Sequence, residues 1–215
     1  MKNKSMFWNR FDRAPIVGII RGVSIETVRR ITESYLNAGF YTLEITMNTG
    51  GAVEIISALR KEFPELSVGA GTVCNMTDLK KAIDAGSQFI VAPILDEEVV
   101  GSCVAQNIPI FPGAYSPTEI YKAWTLGASA VKIFPATQLG TQFIKDILAP
   151  LNQIKLLPTG GITISNIKSF FHAGAYGVGM GSSLLDAQLI KEENFYGLKD
   201  HFTKIKNEIL EFIEI

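Results

Sequence analysis

A single lysine in an apolar strand is the residue of this sequence best suited to covalent chemistry. Lys132 lies in the run AVKIFP at 130–135. Side chains alternate between the two faces of a strand, so Lys132 lies opposite Val131 and Ile133. If those two face the helices, the lysine points inward, where burial lowers its pKa and leaves a neutral, nucleophilic amine. Such an amine forms imines with ketones, although a lysine that reaches water from a strand edge is the alternative.

A carboxylate on a second predicted strand can move the protons that imine chemistry requires. In the run YTLEIT at 41–46, Leu43 and Ile45 face one way and Glu44 faces the other. A carboxylate near the lysine can transfer protons to and from a carbinolamine, directly or through one water. The alternative is a structural ion pair with Lys132, although a buried pair is weak evidence for stability alone.

Two glycine-rich turns predict a binding site for an anion. PTGGI at 158–162 and GMGSS at 179–183 follow the last two predicted strands. Exposed N–H groups and helix N-termini in such loops can hold a phosphate without a cation. Glycines that serve only to make tight turns are the competing explanation.

The sequence offers little for metal or dinucleotide chemistry. His172 and His201 are its two histidines, and both lie in or beside predicted helices without a carboxylate at ligand spacing, so we expect no metal and no cofactor. The GAGT run at 69–72 lacks the third glycine and the downstream acid of a dinucleotide fingerprint. Its Thr72 instead offers a hydroxyl at the end of a strand.

Eight short apolar runs alternate with amphipathic stretches and predict parallel strands joined by helices. The predicted strands are 16–21, 41–46, 67–72, 89–93, 108–113, 130–135, 155–160 and 177–182. Their ends recur at nearly even spacing, which is typical of a repeated βα unit. The predicted fold class is α/β: a single (β/α)8 TIM barrel over residues 1–215, with an N-terminal helix and a long C-terminal helix.

Helix signals fill the intervals between the predicted strands. Ser24 can cap one helix, and Asn75 or Thr77 can cap another. Apolar residues three and four positions apart, from Phe195 to Phe212, predict a long closing helix on the barrel wall. Glycines that can stop a helix in the left-handed conformation stand before four strands, at Gly39, Gly86, Gly127 and Gly174.

The composition argues against several classes of partner. The 20 basic and 21 acidic residues nearly balance and form no basic stripe, so nucleic acid is not expected. No apolar run reaches membrane length, and the N-terminus lacks the apolar stretch of a signal peptide. Cys74 and Cys103 show no repeated spacing of the kind found in disulfide scaffolds. This use of cysteine is typical of proteins in a reducing compartment. We expect a cytoplasmic protein without a membrane partner.

Six motifs resemble those of the KDPG/KHG aldolase family, whose members cleave 2-keto-3-deoxy-6-phosphogluconate and 4-hydroxy-2-oxoglutarate to release pyruvate. The motifs span nearly the whole predicted barrel: IIRG at 19–22, LEIT at 43–46, GAGT at 69–72, PG at 112–113, VKIFP at 131–135 and PTGGI at 158–162. The resemblance implies a class I aldolase, a lyase that acts on a small phosphorylated 2-keto acid. It also implies a homotrimer.

The resemblance assigns roles to particular residues. It implies that Lys132 forms the Schiff base, that Glu44 transfers protons, and that Thr72 and Thr159 contact the pyruvate portion. The further substrate-binding candidates are Arg21, which matches a basic residue at the opening, and Thr46, Asn48, Pro112 and Phe134. The positions that match phosphate-binding residues of the family are Gly160, Gly161, Gly181 and Ser182.

One position departs from the family pattern. Many members carry an arginine that helps to bind the substrate carboxylate where this chain has Asn48. Asn48 and the run GTQFIK at 140–145 are similar to the branch that acts on 2-keto-3-deoxy-6-phosphogalactonate. An amide gives neutral hydrogen bonds in place of a charged bidentate one, which leaves more of the anion binding to Arg21. The epimer of the sugar acid therefore stays open.

Three rival functions fit parts of the same pattern. One is a phosphate-binding isomerase or synthase, in which Lys132 is a general acid or an anion contact. Another is a non-catalytic sensor of a phosphorylated sugar acid. The third is cleavage of unphosphorylated 4-hydroxy-2-oxoglutarate to pyruvate and glyoxylate. The two without imine chemistry predict that the protein forms no imine with pyruvate.

Overall fold

The computed structural model describes residues 2–213, and side chains from residue 6 onward. Helices and strands alternate along the chain as the sequence predicts. The elements are α1 (Lys2–Phe11), β1 (Ile16–Ile20), α2 (Ile25–Asn37), β2 (Thr42–Thr46), α3 (Ala52–Glu62), β3 (Ser67–Gly71), α4 (Met76–Asp84), β4 (Ile90–Val91), α5 (Glu97–Ala105), β5 (Ile110–Phe111), β6 (Gly113–Ala114), α6 (Pro117–Thr125), β7 (Val131–Ile133), α7 (Ala136–Leu148), β8 (Leu156–Pro158), α8 (Ile167–His172), β9 (Val178–Met180), α9 (Ala187–Lys191), α10 (Phe195–Asn207) and a final 3₁₀ helix (Leu210–Phe212).

The strands pair in parallel and form a barrel-like arrangement. One sheet has the order β5-β4-β3-β2-β1-β9 and the other has the order β6-β7-β8. The fifth predicted strand is divided into β5 and β6 at Pro112, because proline has no N–H to donate to a ladder. A parallel bridge between Thr159 and Gly179 connects the end of β8 to β9. The α/β class and the positions of the predicted strands are therefore confirmed.

The strands bury one face against the helices and turn the other toward the interior of the barrel-like arrangement. Val131 and Ile133 belong to the large core between strands and helices, as do Leu43 and Ile45. This confirms the two alternations predicted from the sequence. Lys132 and Glu44, which lie between these pairs, therefore face inward.

The N-terminal helix packs against the amino-terminal ends of the strands. Phe7 and Phe11 of α1 belong to a second buried cluster with Phe89 and Phe111. The ring centroids of Phe7 and Phe89 are 5.1 Å apart, within the range of favourable aromatic contacts. With this end packed, the carboxyl ends of the strands are left to form a site.

The predicted caps are present, but the C-terminal helix is shorter than predicted. Ser24 caps α2, and Asn75, rather than Thr77, caps α4. Helix α10 ends at Asn207, and Phe212 lies in the 3₁₀ helix. The spacing of three between Ile209 and Phe212 suits a 3₁₀ turn as well as an α-helix, and Ile209 is still fully buried. Within residues 2–213, no helix is long and apolar enough to cross a bilayer.

Candidate active site

A cavity of about 830 Å³ opens at the carboxyl ends of the strands. Most of the residues that the sequence predicted for the site line it. They are Arg21, Glu44, Thr72, Lys132, Phe134, Thr159, Gly160, Gly161, Gly181 and Ser182. Residues from six different strand ends thus meet at one place.

Strand β7 holds Lys132 inside this cavity. Its backbone N–H donates to the Pro112 carbonyl (2.9 Å), and the residue is only 6% exposed. Burial lowers the pKa of Lys132, the charge of Glu44 opposes that shift, and the nearby charge of Arg21 adds to it. The Nζ atom lies 5.1 Å from the centre of the Phe134 ring. The amine is therefore poised toward its neutral, nucleophilic form.

Strand β2 buries the Glu44 carboxyl group almost completely, at 1% exposure. Burial raises its pKa, and the positive charges of Lys132 and Arg21 oppose the rise. Its Oε2 atom has no hydrogen-bond partner, and no ion pair joins Glu44 to Lys132 within the described part of the chain. The two groups thus interact through space. A buried acceptor without a partner suits a bound water or substrate hydroxyl.

The absence of a side chain at Gly71 makes room for this carboxyl group. Gly71 pairs with Thr46 in the ladder between β3 and β2. A Cβ atom built at Gly71 would overlap Oε1 and Cδ of Glu44. The position of the Glu44 carboxyl group therefore requires a glycine at residue 71.

Thr72, the next residue, has an unusual backbone conformation. Its φ of 59° lies in the left-handed region, which a β-branched residue seldom adopts. Such a residue costs about 1–3 kcal/mol and persists where the surrounding structure fixes it. Strain of this kind clusters at functional sites, and Thr72 lines the cavity.

The two glycine-rich turns present unused backbone donors. Gly160 and Gly161 both have positive φ, at 91° and 73°. Within residues 2–213, no hydrogen bond to a protein acceptor is found for the N–H groups of Gly161, Ser182 and Ser183. Successive free N–H groups of this kind form a concave site that favours anions.

Three predicted site residues lie outside the cavity lining. Thr46 is buried and shares a hydrogen bond of 3.0 Å with Thr49. Pro112 is buried and accepts the Lys132 N–H through its carbonyl. Asn48 is exposed on the loop after β2. Their contacts with substrate stay predictions from the resemblance.

The cavity also contains residues that sequence reasoning missed. Helix α9 contributes Ala187, Ile190 and Lys191. Lys191 is a further cation at the opening, on a five-residue helix that no motif marks. Ser183 also lines the cavity and donates through its hydroxyl to the Ile162 carbonyl. The sequence at 181–191, GSSLLDAQLIK, has no regular apolar periodicity from which this loop could have been predicted.

Fold and site together define a parallel-stranded α/β enzyme with a buried amine beside a buried carboxyl group. No cluster of three or more metal-ligating side chains occurs among the described residues. A family model of "KDPG and KHG aldolase" matches residues 8–200. The chain belongs to this family, whose members cleave keto-deoxy sugar acids to pyruvate and an aldehyde, and it is an aldolase.

Individual relatives agree with the family match. The chain is 33% identical to the 2-dehydro-3-deoxy-phosphogluconate aldolase of Treponema pallidum, over 86% of this chain and 88% of the relative. It is 32% identical to the 2-dehydro-3-deoxy-6-phosphogalactonate aldolase of Escherichia coli, over 81% and 86%.

A solved structure is also similar to this chain. It is KDPG aldolase from Legionella pneumophila, with pyruvate captured at low pH as a covalent carbinolamine intermediate. It superposes with a TM-score of 0.86 at 25% identity, covering 96% of this chain and 98% of that one.

Proposed function

We propose that this chain is a Schiff-base aldolase that cleaves a 2-keto-3-deoxy-6-phospho sugar acid to pyruvate and glyceraldehyde 3-phosphate. The observation that carries the proposal is the buried amine of Lys132, which faces the cavity with a lowered pKa. Glu44 is the one carboxyl group among the described residues that line the cavity. A nucleophile with one acid-base partner meets the requirement of imine chemistry.

The first half of the reaction forms the imine. Neutral Lys132 Nζ attacks the C2 ketone and gives a carbinolamine. Glu44 relays protons between the nitrogen and the departing hydroxyl, so that water leaves and a cationic imine forms. The Phe134 ring, 5.1 Å from Nζ, can stabilise that cation through its π face.

The second half breaks the carbon–carbon bond. Removal of the proton from the C4 hydroxyl turns C4 into the aldehyde, and the C3–C4 electron pair moves into the imine to give an enamine. Glyceraldehyde 3-phosphate leaves. Protonation of the enamine at C3 and hydrolysis then release pyruvate and regenerate the Lys132 amine.

The distribution of charge in the cavity supports an anionic substrate. We assign the phosphate to the free N–H groups of the turns that carry Gly160, Gly161, Gly181 and Ser182. Arg21, at the end of β1, adds positive charge at the opening. We assign Thr72 and Thr159 to the pyruvate portion, as the resemblance implies.

The substrate within the family is tested by comparing turnover. Donors without acceptors in two turns favour a phosphorylated substrate over 4-hydroxy-2-oxoglutarate, which has no phosphate to place there. We expect a higher kcat/KM for the phosphorylated acids. Assays of the gluconate and galactonate epimers side by side identify the preferred one, and faster cleavage of 4-hydroxy-2-oxoglutarate would reject the phosphorylated assignment.

Reductive trapping tests the imine directly. Pyruvate and borohydride together should leave one carboxyethyl group on Lys132. Trypsin does not cleave after an alkylated lysine, so residues 123–145 should appear as one peptide of increased mass in place of 123–132 and 133–145. A protein that binds pyruvate but gives only the two unmodified peptides would be an isomerase-like or sensor protein instead.

Substitution of Gly71 by alanine should displace the Glu44 carboxyl group, because the new methyl overlaps its Oε1. We expect kcat to fall by about 10²-fold, in the range of a lost general acid–base catalyst, while pyruvate is still trapped on Lys132. Gly101→Ala in α5 is the matched control, since its Cβ meets nothing within 4 Å. A kcat in Gly71→Ala equal to that of the control would show that Glu44 needs no such room.

Three further expectations concern the barrel, the oligomeric state and the location of the protein. We infer that β5 and β6 form one strand interrupted at Pro112, so that eight strands close a (β/α)8 barrel over residues 1–215. The homotrimer stays a prediction from the family resemblance. The cytoplasmic location stays a prediction from the sequence.

A further inference from the structure

Two loops at the cavity opening are joined by a chain of hydrogen bonds that no family motif predicted. The loop after β1 carries Arg21 and Gly22, and the loop after β2 carries Thr49. The Gly22 N–H donates to the Thr49 hydroxyl at 2.9 Å. The same hydroxyl shares a hydrogen bond of 3.0 Å with the hydroxyl of Thr46, at the end of β2.

This chain of hydrogen bonds is well protected from water. Thr46 is fully buried and Thr49 is 6% exposed. The backbone N–H of Thr49 also donates to the Thr46 carbonyl (2.9 Å). A buried hydroxyl that satisfies two polar neighbours fixes their relative positions, and its loss leaves a donor without a partner.

The contact fixes the peptide group that follows Arg21. Gly22 has a φ of 65°, so the chain turns sharply at this residue. The N–H that Thr49 holds belongs to the peptide bond between Arg21 and Gly22. The direction in which the Arg21 side chain leaves the backbone therefore depends on the Thr49 hydroxyl.

Arg21 has two uses in the cavity that depend on its position. It is a cation at the opening where an anionic substrate enters. Its charge also acts on Lys132 and Glu44, lowering the pKa of both. Asn48, the exposed neighbour of Thr49, supplies no charge. Binding of an anion therefore depends more on Arg21 than it would with an arginine at position 48.

We propose that Thr49 is a positioning residue that sets Arg21 for recognition of a substrate oxyanion. The inference rests on the proposed aldolase function and deepens it. Both the keto-acid carboxylate and the distal phosphate are oxyanions that a guanidinium can bind. Thr49 acts through the Arg21–Gly22 peptide and does not itself line the cavity.

The test removes the Thr49 hydroxyl with Thr49→Val and restores it with Thr49→Ser. For Thr49→Val we expect KM for the phosphorylated substrate to rise about tenfold, the loss of one hydrogen bond, with kcat within about twofold. Thr49→Ser should return KM to near the wild-type value. Thr42→Val is the matched control, because the Thr42 hydroxyl is also buried in β2 and donates to the Ile16 carbonyl (2.8 Å), away from the cavity.

A double-mutant cycle with Arg21→Met separates positioning from a general loosening of the loop. In the Arg21→Met background, Thr49→Val should change KM no further. A tenfold rise that persists in that background would overturn the proposal, and so would an unchanged KM in Thr49→Val alone. If Thr49→Val does not fold, Thr49→Ala removes the same hydroxyl and is measured in its place.

Comparing pyruvate with the phosphorylated substrate shows which oxyanion Arg21 binds. The concentration of pyruvate that half-saturates borohydride trapping reports the carboxylate alone. If Thr49→Val raises it together with KM for the phosphorylated substrate, Arg21 binds the carboxylate; if only the latter rises, Arg21 binds the phosphate. Failure of wild-type protein to trap pyruvate at all would instead reject the aldolase mechanism.

Discussion

Replacing Lys132 by methionine is expected to abolish both borohydride trapping of pyruvate and aldol cleavage. Methionine keeps an unbranched side chain of similar length but has no amine to attack a ketone. Loss of a covalent nucleophile typically reduces kcat by far more than the loss of one hydrogen bond, so we expect a fall of at least about 10⁴-fold. The measurements are the trapped peptide at 123–145 and the rate of pyruvate release.

The same variant should remain folded, so that its loss of activity reflects the missing amine and not unfolding. Lys132 is 6% exposed, and its lowered pKa means that the fold disfavours the ammonium form. Removing that group therefore should not lower the thermal unfolding midpoint. Lys80→Met is a control, because Lys80 lies on the surface of α4, paired with Asp84 (3.0 Å). Trapping that persists in Lys132→Met, or is lost in Lys80→Met, would contradict the assignment.

The sequence was sufficient to orient the side chains of Lys132 and Glu44 because strand alternation is a local property. A single apolar neighbour on each side determines which face a residue occupies. Val131 and Ile133 pack against the helices, and Lys132 therefore faces the cavity. The same reasoning was correct for Glu44 between Leu43 and Ile45.

Alternation could not predict which of the inward-facing side chains line the cavity. Thr46 follows Glu44 by two residues and shares its face, yet its hydroxyl bonds to Thr49. Pro112 interrupts a strand, and its carbonyl bonds to the backbone of Lys132. These partners come from loops and neighbouring strands, whose positions depend on long-range packing.

Residues beyond the last strand were missed for a related reason. Leu184 and Leu185 donate to the Gly181 carbonyl (3.0 Å each) and form a compact turn. That turn carries helix α9 and Lys191 back toward the cavity. A five-residue helix is too short for an amphipathic pattern to indicate which side faces a site.

Glu44→Gln is expected to slow turnover by about 10²-fold, the usual contribution of a general acid–base catalyst. Glutamine keeps the shape of the side chain but cannot exchange a proton. Imine formation with pyruvate should continue slowly, because Lys132 remains. The measurements are kcat and the rate of trapping, and an unchanged kcat would reject Glu44 as the proton relay.

The thermal stability of Glu44→Gln is a useful control, because it should stay the same or rise while kcat falls. Burial raises the pKa of Glu44 above its unfolded-state value, so the folded protein binds that proton more tightly than the unfolded chain does. Stability from this group is full below the unfolded-state pKa and is lost as pH rises through the folded-state pKa. Glutamine does not titrate. At mildly alkaline pH, the unfolding midpoint of Glu44→Gln should therefore equal or exceed that of the wild type.

The pH dependence of trapping tests the coupling between the two groups. The negative charge of Glu44 raises the pKa of Lys132 against the effect of burial. Without that charge the amine should lose its proton at lower pH, so the rise of the trapping rate with pH should shift toward acid in Glu44→Gln. Because coupled groups titrate as a pair, the shift belongs to the pair and not to Lys132 alone. An unchanged pH profile would mean that Glu44 is protonated throughout, and a shift toward alkali would mean that it acts on Lys132 by another route; either result would reject Glu44 as the charged partner of the amine.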